Sequence, residues 1–348
     1  MKVAVYYNNS DIRIEERPAP VISGNEMLVK MMASGICGTD IMEWYRIKKA
    51  PRILGHEMAG EIVETGSKAG AFNKGDRVFV SHHVPCYECH YCVEGNYTAC
   101  GLLHAGNYDP GGFAEFVRIP KENVTHGTFL LPDSVPYEDA TMIEPLACVI
   151  SGQKQLGLKK GQTVLIIGSG VAGLLHLKLA KTKGLKVIAI DINEYRLSMA
   201  RAYGADHAVD GPAYSVEVLK KINDDRLADS VIVCAAAQQA VETALASVER
   251  KGKILFFAVP HNDIVIPSTR FWRDEITVTF SYGAPPDDIR EALRLMDSGS
   301  IEVASLITDR IPLSDIQEGF RRAAEGKNSL KVIVVPDDMN KASRPISR

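Results

Sequence analysis

Residues 163–191 constrain this chain more than any others, because they read as strand, glycine turn, helix and strand without a break. Thr163-Val164-Leu165-Ile166-Ile167 is an uninterrupted apolar run of strand length. Gly168-Ser169-Gly170-Val171-Ala172-Gly173 follows with the spacing G-x-G-x-x-G, an apolar helix is predicted over 171–183, and Lys186-Val187-Ile188-Ala189-Ile190 returns as a strand. In that context each glycine has a purpose. Gly168 permits the tight turn, Gly170 lets a pyrophosphate approach the backbone, and Gly173 lets helix and strand pack closely. Val171 and Ala172 open the helix, whose free N–H groups and partial positive charge suit a phosphate. Asp191 ends the second strand, where a carboxylate accepts ribose hydroxyls and repels a 2′-phosphate, favouring NAD over NADP. Arg196, five residues on, softens that preference. The alternatives are a glycine turn with no nucleotide and an Asp191 that only caps a helix.

The same alternation continues through Ser230–Val233 and Lys253–Phe257. Uniformly apolar strands separated by helices imply a parallel sheet covered on both faces, a doubly wound α/β domain over roughly 150–281. Residues 1–149 differ in style. Short alternating runs such as Val29–Ala33, Gly60–Glu64 and Arg77–Val80, broken by turns such as Lys74-Gly75-Asp76, predict a small β-rich, barrel-like body. From Tyr282 onward, helices over 289–298 and 313–326 and a strand over 331–335 are expected to return to that first body, so that it comprises 1–149 and 282–348. The tail from Asp337 is polar, unpatterned and expected to be disordered.

Forty basic and 43 acidic residues leave a net charge of −3, which favours neither nucleic acid nor an anionic membrane. No apolar run approaches transmembrane length. Met1–Val5 alternates into a strand rather than a signal peptide. Seven cysteines, four of them in a metal pattern, fit a reducing, cytoplasmic setting.

Those four are Cys86, Cys89, Cys92 and Cys100, spaced C-x2-C-x2-C-x7-C within a lobe of about residues 84–102. Four thiolates close a tetrahedron around one zinc and leave no position for chemistry, so the lobe reads as a structural clamp. Unrelated thiols, two disulfides and an iron–sulfur cluster are the competing readings; the last wants an x3 spacing and a following proline. His82, His83, His90 and His104 flank the lobe and are read as surface residues. A second, open metal site is suggested by Cys37 in Gly35-Ile36-Cys37-Gly38-Thr39-Asp40, His56 and Glu57 in Gly55-His56-Glu57, and Glu144 in Ile143-Glu144-Pro145. One thiolate, one imidazole and one or two carboxylates leave room for a substrate oxygen.

With these motifs together, the chain resembles the zinc-containing medium-chain alcohol and polyol dehydrogenases over nearly its whole length. Glu144, where alcohol dehydrogenases often carry a second cysteine, resembles the sorbitol (L-iditol) and threonine dehydrogenase branch. The resemblance implies a GroES-like catalytic domain built from both chain ends with a Rossmann domain between them. It implies two zinc ions, the catalytic one on Cys37 and His56 with Glu57 and Glu144 as direct or water-mediated ligands. It implies that Thr39 takes the substrate's hydroxyl proton. Many relatives carry a proton-relaying histidine where this chain has Met42, so the relay would run through Thr39, ribose and water, or through Glu57 or Glu144. Cofactor contacts are further implied around Cys234, at Ala258 and Val259, at Ser281, and at Lys331 for the pyrophosphate, although Cys234 alone reads as packing. Trp44, Tyr45 and Arg46 are expected to edge a polar substrate cleft.

The expected activity is hydride transfer between a secondary alcohol (a polyol, sugar or sugar acid) and NAD, with L-threonine as the competing substrate. A non-enzymatic, NAD-responsive binding protein would have no reason to hold the Cys37, His56, Glu57 and Glu144 set. A homodimer or homotetramer is expected, with Ile276–Phe280 as a candidate pairing strand.

Overall fold

In the computed structural model, which describes residues 1–338, the run Thr163–Ile167 lies buried at the centre of a six-stranded parallel sheet. Neighbouring strands follow in the order His207–Asp210, Lys186–Asp191, Thr163–Ile167, Ala228–Val233, Val248–Phe256 and Thr277–Phe280. Every pairing is parallel. The order reverses direction between Thr163–Ile167 and Ala228–Val233, the switch point at which such sheets bind ligands beyond the strands' carboxyl ends. Apolar side chains fill this core because both sheet faces are covered; the helix Val171–Thr182 buries Leu174, Leu175, Leu177 and Leu179.

This sheet belongs to one of two units, spanning 146–283; the other joins 1–145 to the chain from Ala284 on. The division falls a few residues from the expected 149/150 and 281/282 boundaries. The first junction lies inside the continuous helix Ile143–Leu156, between Pro145 and Leu146.

The discontinuous unit holds a seven-stranded sheet. Ile307–Pro312, Lys331–Val335, Met27–Gly35, Glu57–Thr65, Arg77–Ser81 and Thr128–Leu130 are neighbours in that order, and Phe116–Ile119 also pairs with Met27–Gly35. A three-stranded sheet orders Asp11–Glu16, Lys2–Asn8 and Arg52–Ile53. Met27, Val29, Met31, Phe113 and Phe320 share one buried core with Val332 and Val334, so the returning C-terminal strand completes the hydrophobic interior of the N-terminal part. That strand pairs antiparallel at Ile333–Gly35 and Val334–Ser34, which carries Lys331 beneath the Cys37 turn.

The expected disordered tail is corrected at its start: Asp337 pairs with Lys2 at 2.6 Å and accepts the Ser314 N–H at 2.9 Å. Residues 339–348 lie outside the described residues. No helix among the described residues is long and apolar enough to cross a membrane.

Candidate active site and metal centres

Cys37, His56 and Glu57 converge, with one ligand atom from each lying within 4.8 Å of the others. Cys37 sits in the turn that leaves Met27–Gly35, His56 precedes Glu57–Thr65, and Glu57 opens that strand opposite Gly35. A side chain at position 35 would place its Cβ 2.0 Å from Glu57 Oε2 and 2.7 Å from Lys331 Cε, so any residue but glycine would displace the Glu57 carboxylate and the Lys331 side chain.

Asp40, fully buried, orients the imidazole, with its Oδ1 3.4 Å from His56 Nδ1. This leaves Nε2 for a metal, the usual arrangement of a carboxylate behind a ligating histidine. Burial alone would raise the Asp40 carboxyl, but His56, Arg46 and the Cys37 N–H hold it below the ordinary range. Burial likewise opposes charge on His56, and Asp40 and Cys37 outweigh it, holding the imidazole well above its usual value. The ammonium of Lys331 offsets part of the negative charge of these donors. A divalent cation would satisfy the same donors, so the residues fit a metal of the thiolate–imidazole–carboxylate kind.

Glu144 lies outside the convergent set. It is buried at the first turn of Ile143–Leu156 and acts electrostatically on Lys331 and Tyr108. Tyr108 itself is buried, and burial, then the nearby carboxylates, push its phenol well above its usual value.

Two expectations, on Lys331 and on His82, are corrected here. Lys331 does not offer its ammonium to a pyrophosphate: it is 3% exposed, and Nζ is bonded to Glu57 Oε2 and to the Ile36 carbonyl. The Coulomb attraction of Glu57 and Cys37 outweighs desolvation and raises its pKa. Arg46 is turned onto the Cys37–Asp40 turn, donating from Nε to Thr39 O at 2.9 Å, and from Nη2 to Thr39 Oγ1 at 2.9 Å and Asp40 Oδ1 at 3.1 Å. Its neighbours Trp44 and Tyr45 do remain exposed. His82 is not a surface residue of the cysteine lobe. It is buried with its ring 4.9 Å from that of His56, because Ser81 pairs with Glu57 and the chain continues into the same pocket. Burial, then His83, hold the His82 imidazole well below its usual value. Asp40 lies in the glycine-flanked turn, yet nothing in the sequence marks it as the partner of His56, and nothing local marks Tyr108 or the Lys331–Glu57 pair.

The four cysteines form the second group, again with ligand atoms within 4.8 Å of one another. Cys92 Sγ lies 3.9 Å from Cys86 Sγ and 3.6 Å from Cys89 Sγ. A tetrahedron with zinc–sulfur bonds of about 2.3 Å has edges of about 3.8 Å, so the cage fits zinc without rearrangement.

In the other unit the residues expected to contact a cofactor gather at the carboxyl ends of the parallel strands. Gly168 (φ +94°) follows Thr163–Ile167, Asp191 ends Lys186–Asp191, and Cys234 follows Ala228–Val233. Ala258 and Val259 come after Val248–Phe256, and Ser281 after Thr277–Phe280. A Cβ at Gly173 would lie 1.9 Å from the Gly168 carbonyl oxygen, whereas one at Gly170 would meet nothing, which leaves the helix N-terminus at Val171 and Ala172 open to a ligand. Asp191 accepts the Ser169 N–H at 2.6 Å and the Asn193 N–H at 2.9 Å. The following helix is capped by Asn193, not by Asp191. Arg196 Nη1 lies 3.9 Å from Asp191 Oδ2. The backbone of Cys234 packs against Gly168, and burial raises its thiol pKa.

Such a fold, carrying a four-thiolate cage, a mixed-donor metal site and a glycine turn, is matched by two family models: the alcohol dehydrogenase GroES-like domain over residues 23–133 and the zinc-binding dehydrogenase over 171–298. The chain belongs to the zinc-containing medium-chain dehydrogenase family and is an oxidoreductase with GroES-like and Rossmann domains. It is 34% identical to sorbitol dehydrogenase of Bacillus subtilis (strain 168), covering 97% of this chain and 98% of that one. It is 32% identical to D-arabitol-phosphate dehydrogenase of Enterococcus avium, with 90% and 91% covered. The structure superposes on galactitol-1-phosphate dehydrogenase from Escherichia coli with a TM-score of 0.85, at 27% identity and with 97% and 100% covered.

Proposed function

We propose that the protein is a zinc- and NAD-dependent dehydrogenase of secondary alcohols whose substrates are polyols, sugars or sugar acids. The observation that carries this reading is the convergence of Cys37, His56 and Glu57, with Asp40 holding the second nitrogen of His56. Three protein donors leave a coordination position free for substrate. Bound there, zinc supplies Lewis acidity, while NAD supplies the hydride acceptor. The chain's own residues do the rest. Thr39 would accept the alcohol's hydroxyl proton at Oγ1 as its own proton leaves through the cofactor ribose and water. Glu57, neutralised by Lys331, is held at the metal site without carrying an unpaired charge. Glu144 adds negative potential close by. The N–H groups at Val171 and Ala172 face the pyrophosphate, and Asp191 receives ribose hydroxyls with the lone pairs its two backbone bonds leave over. Its charge disfavours a 2′-phosphate, which supports NAD over NADP.

The four-thiolate cage takes a second, structural zinc. The cysteines of both sites are free thiols, as a reducing cytoplasm would keep them. Polyol substrates are supported by the sorbitol and arabitol-phosphate dehydrogenases among the relatives.

Metal analysis of the purified protein, with NAD- and NADP-linked assays on sorbitol, xylitol, galactitol, their phosphates and L-threonine, tests the reading. Two zinc ions per chain and NAD-linked oxidation of a polyol are expected. Cys37→Ala should keep one zinc and lose turnover by at least about a thousandfold. Undiminished oxidation by a zinc-free Cys37→Ala sample would overturn the proposal.

A further inference from the structure

The stretch from Arg46 to Arg52 leaves the Cys37–Asp40 turn and leads back to His56, and it carries an excess of positive charge. Arg46, Lys48, Lys49 and Arg52 fall within it, and the acids beside it are already engaged. Asp40 faces both Arg46 and His56. Glu43 accepts the Asn9 N–H at 2.9 Å. Lys48, Lys49 and Arg52 make no ion pair with any of the described residues. The two lysines are exposed, where water solvates a charge well.

Arg52 is placed differently. Its backbone is fixed in the short strand Arg52–Ile53, opposite Tyr6, and its side chain is half-buried. Burial, then the neighbouring Arg46, push its guanidinium below its usual value, and Asp40 and Tyr45 offset this only in part. Holding one guanidinium partly out of water beside another costs free energy unless an anion meets it. The single Asp40 carboxylate is already shared by Arg46 and His56, so no described acid is left for Arg52. Arg46 ties this unpaired charge to the site, since its Nη2 reaches Thr39 Oγ1 at 2.9 Å and Asp40 Oδ1 at 3.1 Å.

We infer that the Arg46–Arg52 stretch forms an anion subsite of the active site, and that the substrate is a polyol or sugar carrying a phosphate or carboxylate away from its reacting carbon, held by Arg52 with Lys48 and Lys49 at the rim. The inference rests on the reading of the Cys37 site as the place of alcohol oxidation and narrows its substrates to anions. Phosphate and carboxylate share the chemistry that matters here: two oxygens that a planar guanidinium fork meets at once. The lysines supply potential that draws the anion in.

The test measures kcat and KM with NAD for sorbitol, arabitol and galactitol, for their terminal phosphates, and for gluconate, arabinonate and galactonate. In wild type, at least one anionic form should exceed its neutral parent in kcat/KM by about tenfold or more, and the excess should shrink as salt rises. Preference for the phosphates or for the acids supports the inference equally and names the group. Arg52→Met should lose about tenfold to a hundredfold of kcat/KM on that anion, chiefly through KM, and far less on the neutral polyol, so that the preference collapses. Arg52→Lys should restore part of it. Lys48→Met combined with Lys49→Met should weaken the preference about two- to fivefold. Should Arg52→Met not fold, the wild-type preference, its salt dependence and the lysine variant still decide. A wild type that prefers the neutral polyols overturns the inference. An Arg52→Met variant that loses neutral and anionic substrates equally also overturns it, and makes Arg52 a residue of the fold alone. Both results leave the dehydrogenase reading intact. A wild-type protein that oxidises no alcohol with either nicotinamide cofactor removes that reading, and the inference with it.

Discussion

A single methyl group separates a working glycine turn from a broken one. At position 173 a Cβ would lie 1.9 Å from the Gly168 carbonyl oxygen, a backbone atom that cannot move aside without unwinding the turn. Gly173→Ala is therefore expected to weaken NADH binding at least about tenfold, followed by nicotinamide fluorescence, while both zinc ions remain. Normal binding would mean that the turn adapts. His176 makes a different point. It is fully buried in the helix Val171–Thr182, with Nδ1 3.3 Å from Gln153 Nε2 and its ring edge-on to Phe257. Burial pushes its imidazole down from 6.5 to about 3. The folded state thus disfavours the proton that the unfolded chain takes up below about pH 6.5. The stability His176 contributes is present above that pH and is lost as pH falls toward 3, at up to about 1.4 kcal/mol per pH unit. Replacing it by Leu should reduce the acid dependence of unfolding between pH 6.5 and 4, measured by urea titration. An identical slope would assign that dependence to other groups.

At the scale of elements, the cysteine lobe is the piece least able to stand alone. Its helices His90–Val93 and Gly101–Ala105 are far shorter than any that persist in water, and its buried cluster contains only Cys92, Cys100 and Leu103. The metal must therefore supply the ordering that a hydrophobic core supplies elsewhere. Cys100→Ser should release one zinc per chain, detected with a chromogenic chelator, and open the segment around residues 86–100 to protease while the zinc at Cys37 stays. A lobe that resists protease without its zinc would refute this. The spacing of the four cysteines was readable because all four ligands come from one short segment. His82 was misassigned for the opposite reason. It lies next to that segment in sequence, yet the ladder pairing Ser81 with Glu57 delivers it to His56.

For the whole molecule, the parallel sheet ends on Thr277–Phe280, the outermost strand of the order. Phe280 there is 59% exposed and Trp272 on the preceding helix 81% exposed. An apolar sheet edge of this kind is a template for pairing with a second copy. A dimer through this strand is the expected assembly, and Phe280→Lys should shift the sedimentation coefficient toward monomer. A wild-type protein that sediments as a monomer would exclude it. The strands, the glycine turn, Asp191 and the four-cysteine pattern were legible from the chain because each is a local signal, a period or a spacing set within one segment, whereas the Cys37, His56 and Glu57 set comes from separate segments and was legible through the family resemblance. The Lys331–Glu57 pair joins residues 274 positions apart. Their meeting follows from a C-terminal strand laid against Ser34 and Gly35, which no local pattern announces.

The linear order of residues by itself determined that the chain makes a parallel nucleotide-binding sheet, a β-rich body and a thiolate cage, because periodicity and ligand spacing act within a few turns of chain. Only the tertiary structure decided that Lys331 serves Glu57 rather than a phosphate, that Arg46 grips Thr39 and Asp40, and that His82 stands against His56. A buried charge takes whatever partner the packing brings within reach, and packing is set by contacts between segments far apart in sequence.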